Sequence, residues 1–219
     1  MSAATNPLTN LLIEQAARLD VPIDATILAK LGRYQALLTE WGDKINLTAL
    51  RDPTDVAVRH FLDSLALVRE LPTPEELAQL GLPCTLVDVG SGAGFPGALC
   101  ALCRPALRVT LVERIGKKAA FLQTLRRELG LHYEVAADDA ERIIKRGEAG
   151  FGIAVARAAL VLPEWLELGS RLVAPGGWIF AMTTPREPLP TNPALSLVRD
   201  VTYDVGAGTH RLLGYRLNS

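Results

Sequence analysis

The sequence predicts an α/β fold: an open, mostly parallel sheet with helices on both faces, behind an N-terminal helical segment. Three observations predict it. From Cys84 onward, short apolar runs alternate with amphipathic stretches. The first of those runs empties into LVDVGSGAGFPG, Leu86 to Gly97, with four glycines, Gly90, Gly92, Gly94 and Gly97. Ahead of Cys84 the apolar residues carry helical spacing only. The division gives a helical cap over residues 1–83 and a sheet domain over 84–219.

Each element follows from local signals. Leu8, Leu11, Leu12 and Ala16 share one helix face. Asp24 can cap a second helix running to about Trp41, and Asp52-Pro53 makes an N-cap and N1 pair for a third running to about Glu70. LPTPEELAQLGLPC is a proline-punctuated connection with a helical turn inside. TLVDV is the first strand, and Pro96 can start the helix GALCALC. RVTLVE is the second strand, followed by GKKAAFLQTLRRELG, an amphipathic helix closed by Gly130. HYEVAAD, GIAVARA and GGWIFAM are the third, fourth and fifth strands, separated by the helices DAERIIKRGE and PEWLELGSRLV. LVRDVTYDV and RLLGYRLN close the sheet as a hairpin around GAGTH, for seven strands in all.

Composition narrows the function classes. Almost half of the 219 residues are hydrophobic, enough for a core, and the formal net charge is -1. That balance gives no global attraction to nucleic acid or anionic membrane, though a local basic patch remains open. No apolar run is long enough to span a bilayer. The start, MSAATNPLTN, has neither the basic nor the apolar region of a secretory signal, so a cytoplasmic location is expected. The three cysteines agree, because an odd number offers no disulfide framework. Cys100 and Cys103 form C-A-L-C inside the apolar run GALCALC with no second C-x-x-C, so they are expected as buried core residues and no metal site is expected.

The glycine loop admits two ligands. From Gly92 it fits G-x-G-x-x-G, the dinucleotide fingerprint; from Asp88 it fits D-x-G-x-G-x-G, a loop for S-adenosylmethionine (SAM). Both use glycine for close backbone approach and the next helix N-terminus as a positive pole. Both want an acid at the end of the second strand for ribose hydroxyls, and Glu113 supplies it. Three features favour SAM. Asp88 stands where the dinucleotide pattern is apolar. A helical segment precedes the first strand. LVAPGGWIFAM resembles the L-x-P-G-G turn that many class I SAM-dependent methyltransferases carry before the fifth strand. The methionine end of SAM is expected at the glycine loop, the ribose at Glu113, and the adenine near AADDAE, with Asp138, Asp139 and Glu141. For Asp138 and Asp139 a helix N-cap is the plainer role.

The fourth strand bears on the substrate. AVARAAL has no acid, amide, aromatic or cysteine, which argues against adenine amino groups and against a thiol relay. It offers Arg157. Guanine N7 carries a lone pair and no proton, so its methylation needs alignment rather than a base, and alignment alone contributes about 7–11 kcal/mol. Arginine can reach guanine acceptors. A salt bridge to an acid of the site, or a bond to the SAM carboxylate, serves Arg157 equally well.

YQALLTEWGDKINLTALRDP and RHFLDSLAL, together with LVDVGSGAGFPG, RPALRVTLVERIGKKAAFL and AVARA, resemble the bacterial small-subunit ribosomal RNA guanine-N7 methyltransferase family, also called glucose-inhibited division protein B. The resemblance runs from about Tyr34 to Met182, and NLTAL with RHFLDSL is its most specific part. It implies a class I, Rossmann-like domain under a helical cap, SAM as cofactor, and a guanine of 16S-type rRNA or the small ribosomal subunit as target. By that match Gly90, Gly92, Phe95, Arg114, Ala140, Glu141 and Arg157 hold SAM, with Glu113 at the ribose and Arg157 also the catalytic candidate. The chain departs from the family in one respect. Where the family often has A-x-K-G after the fifth strand, this chain has Ala181-Met182-Thr183-Thr184, so a cation such as Arg186 must substitute or activity is altered. Two rival functions follow: a methyltransferase of a small molecule, and a non-catalytic SAM- and RNA-binding relative. No metal is needed, no membrane is involved, and a monomer is expected.

A basic patch answers the near-neutral charge. From Arg104 to Glu128 seven cations face two acids. Arg114, Lys117 and Lys118 are expected at RNA, with Lys44, Arg51 and Arg59 extending the patch from the cap, while Arg126 and Arg127 suit a solvated helix face. His60, Asp63 and Ser64 share one helix and cannot form a hydrolytic triad. They are expected either to bond the loop carrying Asn46, fixing the cap, or to line the pocket.

Overall fold

In the computed structural model the described residues are 7–45, 47, 57–157, 160–204 and 208–218. Two helices open the chain, α1 (Pro7–Arg18) and α2 (Ala25–Ile45). The Asp24 carboxylate accepts from the Ile27 N–H at 2.7 Å, so the predicted cap forms. A π-helical turn, Ala57–Leu62, leads into α3 (Asp63–Glu70), while Asp52 and Pro53 lie outside the described residues. In α4 (Pro74–Gln79) Thr73 and Glu76 form a reciprocal capping box.

The sheet domain then alternates as predicted. Its elements are β1 (Thr85–Val89), α5 (Gly97–Cys103), β2 (Arg108–Val112), α6 (Gly116–Leu129), β3 (Tyr133–Ala136) and α7 (Ala140–Lys145). There follow β4 (Phe151–Arg157), α8 (Leu162–Leu172), β5 (Val173–Thr183), β6 (Leu195–Asp204) and β7 (Thr209–Leu217). The order across the sheet is β3-β2-β1-β4-β5-β7-β6. The first five strands run parallel; β7 is antiparallel to both β5 and β6. The strand order reverses beside β1, so the loops after β1 and β4 open at the carboxyl edge, where such folds bind ligands. Two expected boundaries move. β3 stops at Ala136, because Asp139 turns out to cap α7 through the Arg142 N–H at 2.9 Å. β5 begins ahead of its glycines, at Val173.

Strand residues sort by parity onto two cores. Leu86, Leu111, Ile153, Val155 and Phe180 face one, which also takes in Leu12, Leu31, Tyr34, Phe61 and Leu65 from the helical segment. Val87, Val112, Ala154, Ala156 and Ile179 face the other, against Trp165 and Leu166 of α8. The helical segment therefore shares a continuous core with one sheet face. Cys100 is buried there, and burial pushes its thiol well up; the Cys103 thiol is pushed up to about 12 by the same cause. Among the described residues no helix is long and apolar enough to cross a membrane.

Candidate functional site

The glycines of the loop divide by what surrounds them. A Cβ on Gly97 would lie 2.3 Å from Leu111 Cδ2 and 2.7 Å from Asp88 Oδ2, and one on Gly94 would lie 2.5 Å from the Tyr34 hydroxyl. These two are required by packing. Gly92 is different: φ is +55° and a Cβ would meet only the Gly90 carbonyl, at 3.7 Å. The backbone there faces open space, which suits a ligand lying on the loop. Glu113 closes β2 with 5% exposure, and its carboxylate accepts from the N–H groups of Gly92 at 2.9 Å and Ile115 at 2.8 Å. The acid expected at a ribose is thus also the strut that shapes the loop; each oxygen keeps a second lone pair for a ligand hydroxyl. Asp88 is fully buried. Its Oδ2 accepts from the Gly97 N–H at 3.0 Å, Oδ1 has no hydrogen-bond partner among the described residues, and burial pushes its carboxyl up to about 6.

Phe95 lies at the centre of an aromatic cluster. Its ring stacks on Tyr34 and on His60, both at 4.9 Å between centroids, and meets Phe61 edge-on at 5.1 Å. The residue is 3% exposed, so its ring serves as packing between the loop and the helical segment. The cluster ties the cap to the loop, and the Tyr34 O–H adds a 2.6 Å bond to the Ala93 carbonyl. Tyr34 opens the family-like segment, but no local pattern gave its ring or hydroxyl a role, since a lone tyrosine on a helix is an ordinary core residue.

Arg157 ends β4, its guanidinium 5.7 Å over the Phe95 ring and 3.9 Å from Asp63 Oδ2. The salt-bridge alternative for Arg157 is therefore realised. Burial lowers the Arg157 pKa, and the neighbouring Asp63 opposes that shift. Asp63 Oδ1 also accepts from the Tyr203 hydroxyl at 2.5 Å and faces His210 Nδ1 at 2.9 Å. A carboxylate only accepts, so Nδ1 carries the proton. Asp63 fixes the cap over the sheet as expected, but through the closing hairpin and Arg157; the Asn46 loop lies outside the described residues. Ser64 bonds the His60 carbonyl of its own helix at 2.6 Å. No sequence signal linked Tyr203 and His210 to Asp63, which lies about 140 residues away in the chain.

At the end of β3, Asp138 pairs with Arg146 and Arg142, and Asp139 is the N-cap. Ala140 opens α7 and is buried. The Glu141 carboxylate is held two-pronged by Arg171 at 2.6 and 2.8 Å. Arg114 and Lys117 are exposed and Lys118 half-exposed beside the mouth of the site; Lys44 is exposed. Arg126 and Arg127 are exposed on α6, in line with a solvated helix face, and Arg126 also donates to the Tyr133 carbonyl at 3.1 Å. Arg51 and the Arg59 side chain fall outside the described residues. Beyond Arg157 a cavity of about 300 Å³ opens at the ends of β4 and β5, lined in part by Thr183, Thr184 and Glu187. Arg186 is exposed on the following loop.

The fold is shared. The chain superposes on the O-methyltransferase TomG of Streptomyces achromogenes with a TM-score of 0.60, 15% identity and 96% of each chain covered. That likeness places the fold among class I methyltransferases. Two relatives are closer in sequence, both named ribosomal RNA small subunit methyltransferase G. The Myxococcus xanthus protein is 39% identical over 75% of this chain and 72% of its own. The Anaeromyxobacter protein is 41% identical over 76% and 74%. The model of the GidB family, described as rRNA small subunit methyltransferase G, matches residues 27–194, and the chain belongs to that family.

Proposed function

We propose that this chain transfers the methyl group of SAM to N7 of a guanine in the 16S rRNA of the small ribosomal subunit. The observation that carries the reading is the end of β4. In a chain of this family it delivers an arginine clamped by Asp63 and no carboxylate or amide. N7 has no proton to remove, so a site built to align and not to deprotonate suits it.

SAM, when bound, supplies an electrophilic methyl group on a sulfonium. The exposed Gly90 and the open backbone of Gly92 receive its methionine end, and Glu113 accepts from the ribose while bracing the loop. Ala140 and the Glu141 backbone border the adenine, and Arg114 stands at the outer edge. Arg157 has two roles, orienting the cofactor carboxylate and holding the guanine near O6. Arg114, Lys117 and Lys118 meet phosphates. Residues 1–83 act as the cap and 84–219 as the transfer domain. The reading keeps the protein a cytoplasmic monomer. It needs no metal, because alkylation by a sulfonium requires no Lewis acid.

The test incubates SAM labelled in its methyl group with small subunits from a strain deleted for the gene. Label in 7-methylguanosine after digestion is expected. Binding of SAM with no label in that nucleoside overturns the reading.

A further inference from the structure

The cavity beyond Arg157 has a lining that the alignment of SAM does not use. At about 300 Å³ it stands at the lower end of small-ligand sites. Its rim includes Leu160 and Val161, which are 42% and 62% exposed, and Met182 forms part of the wall. Uncovered aliphatic side chains beside a polar group suit a flat, apolar-faced ligand with a polar edge. The polar lining is Thr183, Thr184 and Glu187.

Glu187 is held in place by its backbone. Its N–H donates to the Thr184 carbonyl at 3.1 Å, and its own carbonyl accepts from Arg211 Nη1 at 3.2 Å. Arg211 is in turn fixed by two 2.7 Å bonds to Asp200. Among the described residues the Glu187 carboxylate makes no ion pair, so it remains available to a ligand's donors.

We propose that this cavity seats the target guanine and that Glu187 selects it, accepting from the ring N1–H and the 2-amino group. The proposal rests on the guanine-N7 reading given above. Guanine places those two donors side by side on its Watson–Crick edge, and one carboxylate can accept both. Adenine has an acceptor at N1, which would face the same carboxylate with no proton between them. N7 lies on the far side of the purine from that edge. A guanine held on Glu187 through that edge keeps N7 on its opposite side, free of the carboxylate and open to the methyl donor. Leu160, Val161 and Met182 cover the ring faces, as in other sites that take a base out of its stack. Glu187 so acts as a specificity-determining residue, and Thr183 and Thr184 supply hydroxyls within the same cavity.

The test pairs a residue change with a base change. Wild type first locates the modified guanine in small subunits. Subunits are then reconstituted with inosine at that position, which keeps N7 and N1–H and lacks the 2-amino group. Wild type should prefer guanine over inosine by about 10-fold in kcat/KM, the size of one hydrogen bond to a charged acceptor. Glu187→Ala should lose about 10- to 100-fold on guanine and show no preference between the two bases. Glu187→Gln, which keeps the shape, should fall between. Thermal midpoint and SAM affinity should match wild type in both variants. A Glu187→Ala enzyme that retains wild-type kcat/KM, or retains the guanine preference, overturns the proposal while the parent reading stands. Absence of 7-methylguanosine with wild type overturns both.

Discussion

Replacing Asp63 with alanine should be among the costliest single changes at this site. The carboxylate, 8% exposed, takes hydrogen bonds from Tyr203 and His210 and lies 3.9 Å from the Arg157 guanidinium. Its removal strands two donors, at about 1–3 kcal/mol each when buried. It also takes a counter-charge from beside the Arg157 guanidinium, and breaking a buried pair from one side costs about 3–5 kcal/mol. These figures describe overlapping losses and do not add. Arg157 keeps 21% side-chain exposure, and water can enter the vacated space, so the lower end, about 3 kcal/mol, is the expected loss. For a chain of this size that is a drop in Tm of roughly 6–12 °C. Urea unfolding of Asp63→Ala, Arg157→Met and the double variant measures the coupling, expected above about 1 kcal/mol. A Tm change below about 2 °C, or strict additivity of the two substitutions, would refute the clamp.

Other consequences separate ligand-facing groups from structural ones. Gly97→Ala drives a methyl into Leu111 and Asp88 and should cost about 1–3 kcal/mol of stability, whereas Gly92→Ala should cost about 1 kcal/mol of backbone strain yet weaken SAM binding more than tenfold, both read by unfolding and calorimetry. Burial raises Asp88 from an ordinary 3.8 to about 6, so the native state takes up a proton as pH falls through 6. Stability from this group thus rises by roughly 1 kcal/mol from pH 7 to pH 5, and the difference in unfolding free energy between wild type and Asp88→Asn should move by that amount in favour of wild type; a flat difference defeats the assignment. Neutralising Arg114, Lys117 and Lys118 together should weaken RNA binding and lower the slope of log K against log salt by about 2–3, with SAM affinity unchanged. Arg157→Ala should abolish most methyl transfer, and unchanged turnover would remove it from the mechanism.

The alternation of strands and helices, the glycine loop and the acid that follows β2 were all legible in the sequence, because each depends on local pattern: an apolar run, a turn chemistry, a capping residue. Asp24 and Asp139 cap the helices that their positions announced. What stayed hidden depends on distant pairing. Phe95 has the address of a ligand residue, yet its ring is engaged by Tyr34 and His60. Glu141 has the address of an adenine contact, yet Arg171, one helix away, holds its carboxylate. Asp63 and its partners Tyr203 and His210 come together only because β7 inserts between β5 and β6, and no spacing rule encodes that. Local signals locate a backbone; which side chains remain available there is decided by what the rest of the fold brings alongside.

The helical segment bears on the proposed chemistry for the same reason. The glycine loop is held on the sheet side by Glu113 and on the cap side by Tyr34, which bonds the Ala93 carbonyl at 2.6 Å and stacks on Phe95. Arg157 rests on that same Phe95 ring and is paired with Asp63 of the cap. Donor loop and arginine are therefore both positioned against one aromatic cluster by bonds that originate in the cap. A reaction that moves no proton gains little from a perturbed acid or base and much from fixed geometry, since a misplacement of about 1 Å can cost 100-fold. Buried polar contacts of this kind are expensive to desolvate and are worth retaining where they hold reacting groups in register. Tyr34→Phe isolates that contribution: the ring stays, the bond to the loop goes, and about 1–2 kcal/mol of stability should go with it. If positioning is what the cap supplies, the same variant lowers kcat by more than its effect on SAM affinity explains. An unchanged kcat with weaker SAM binding would instead make the cap a binding element alone.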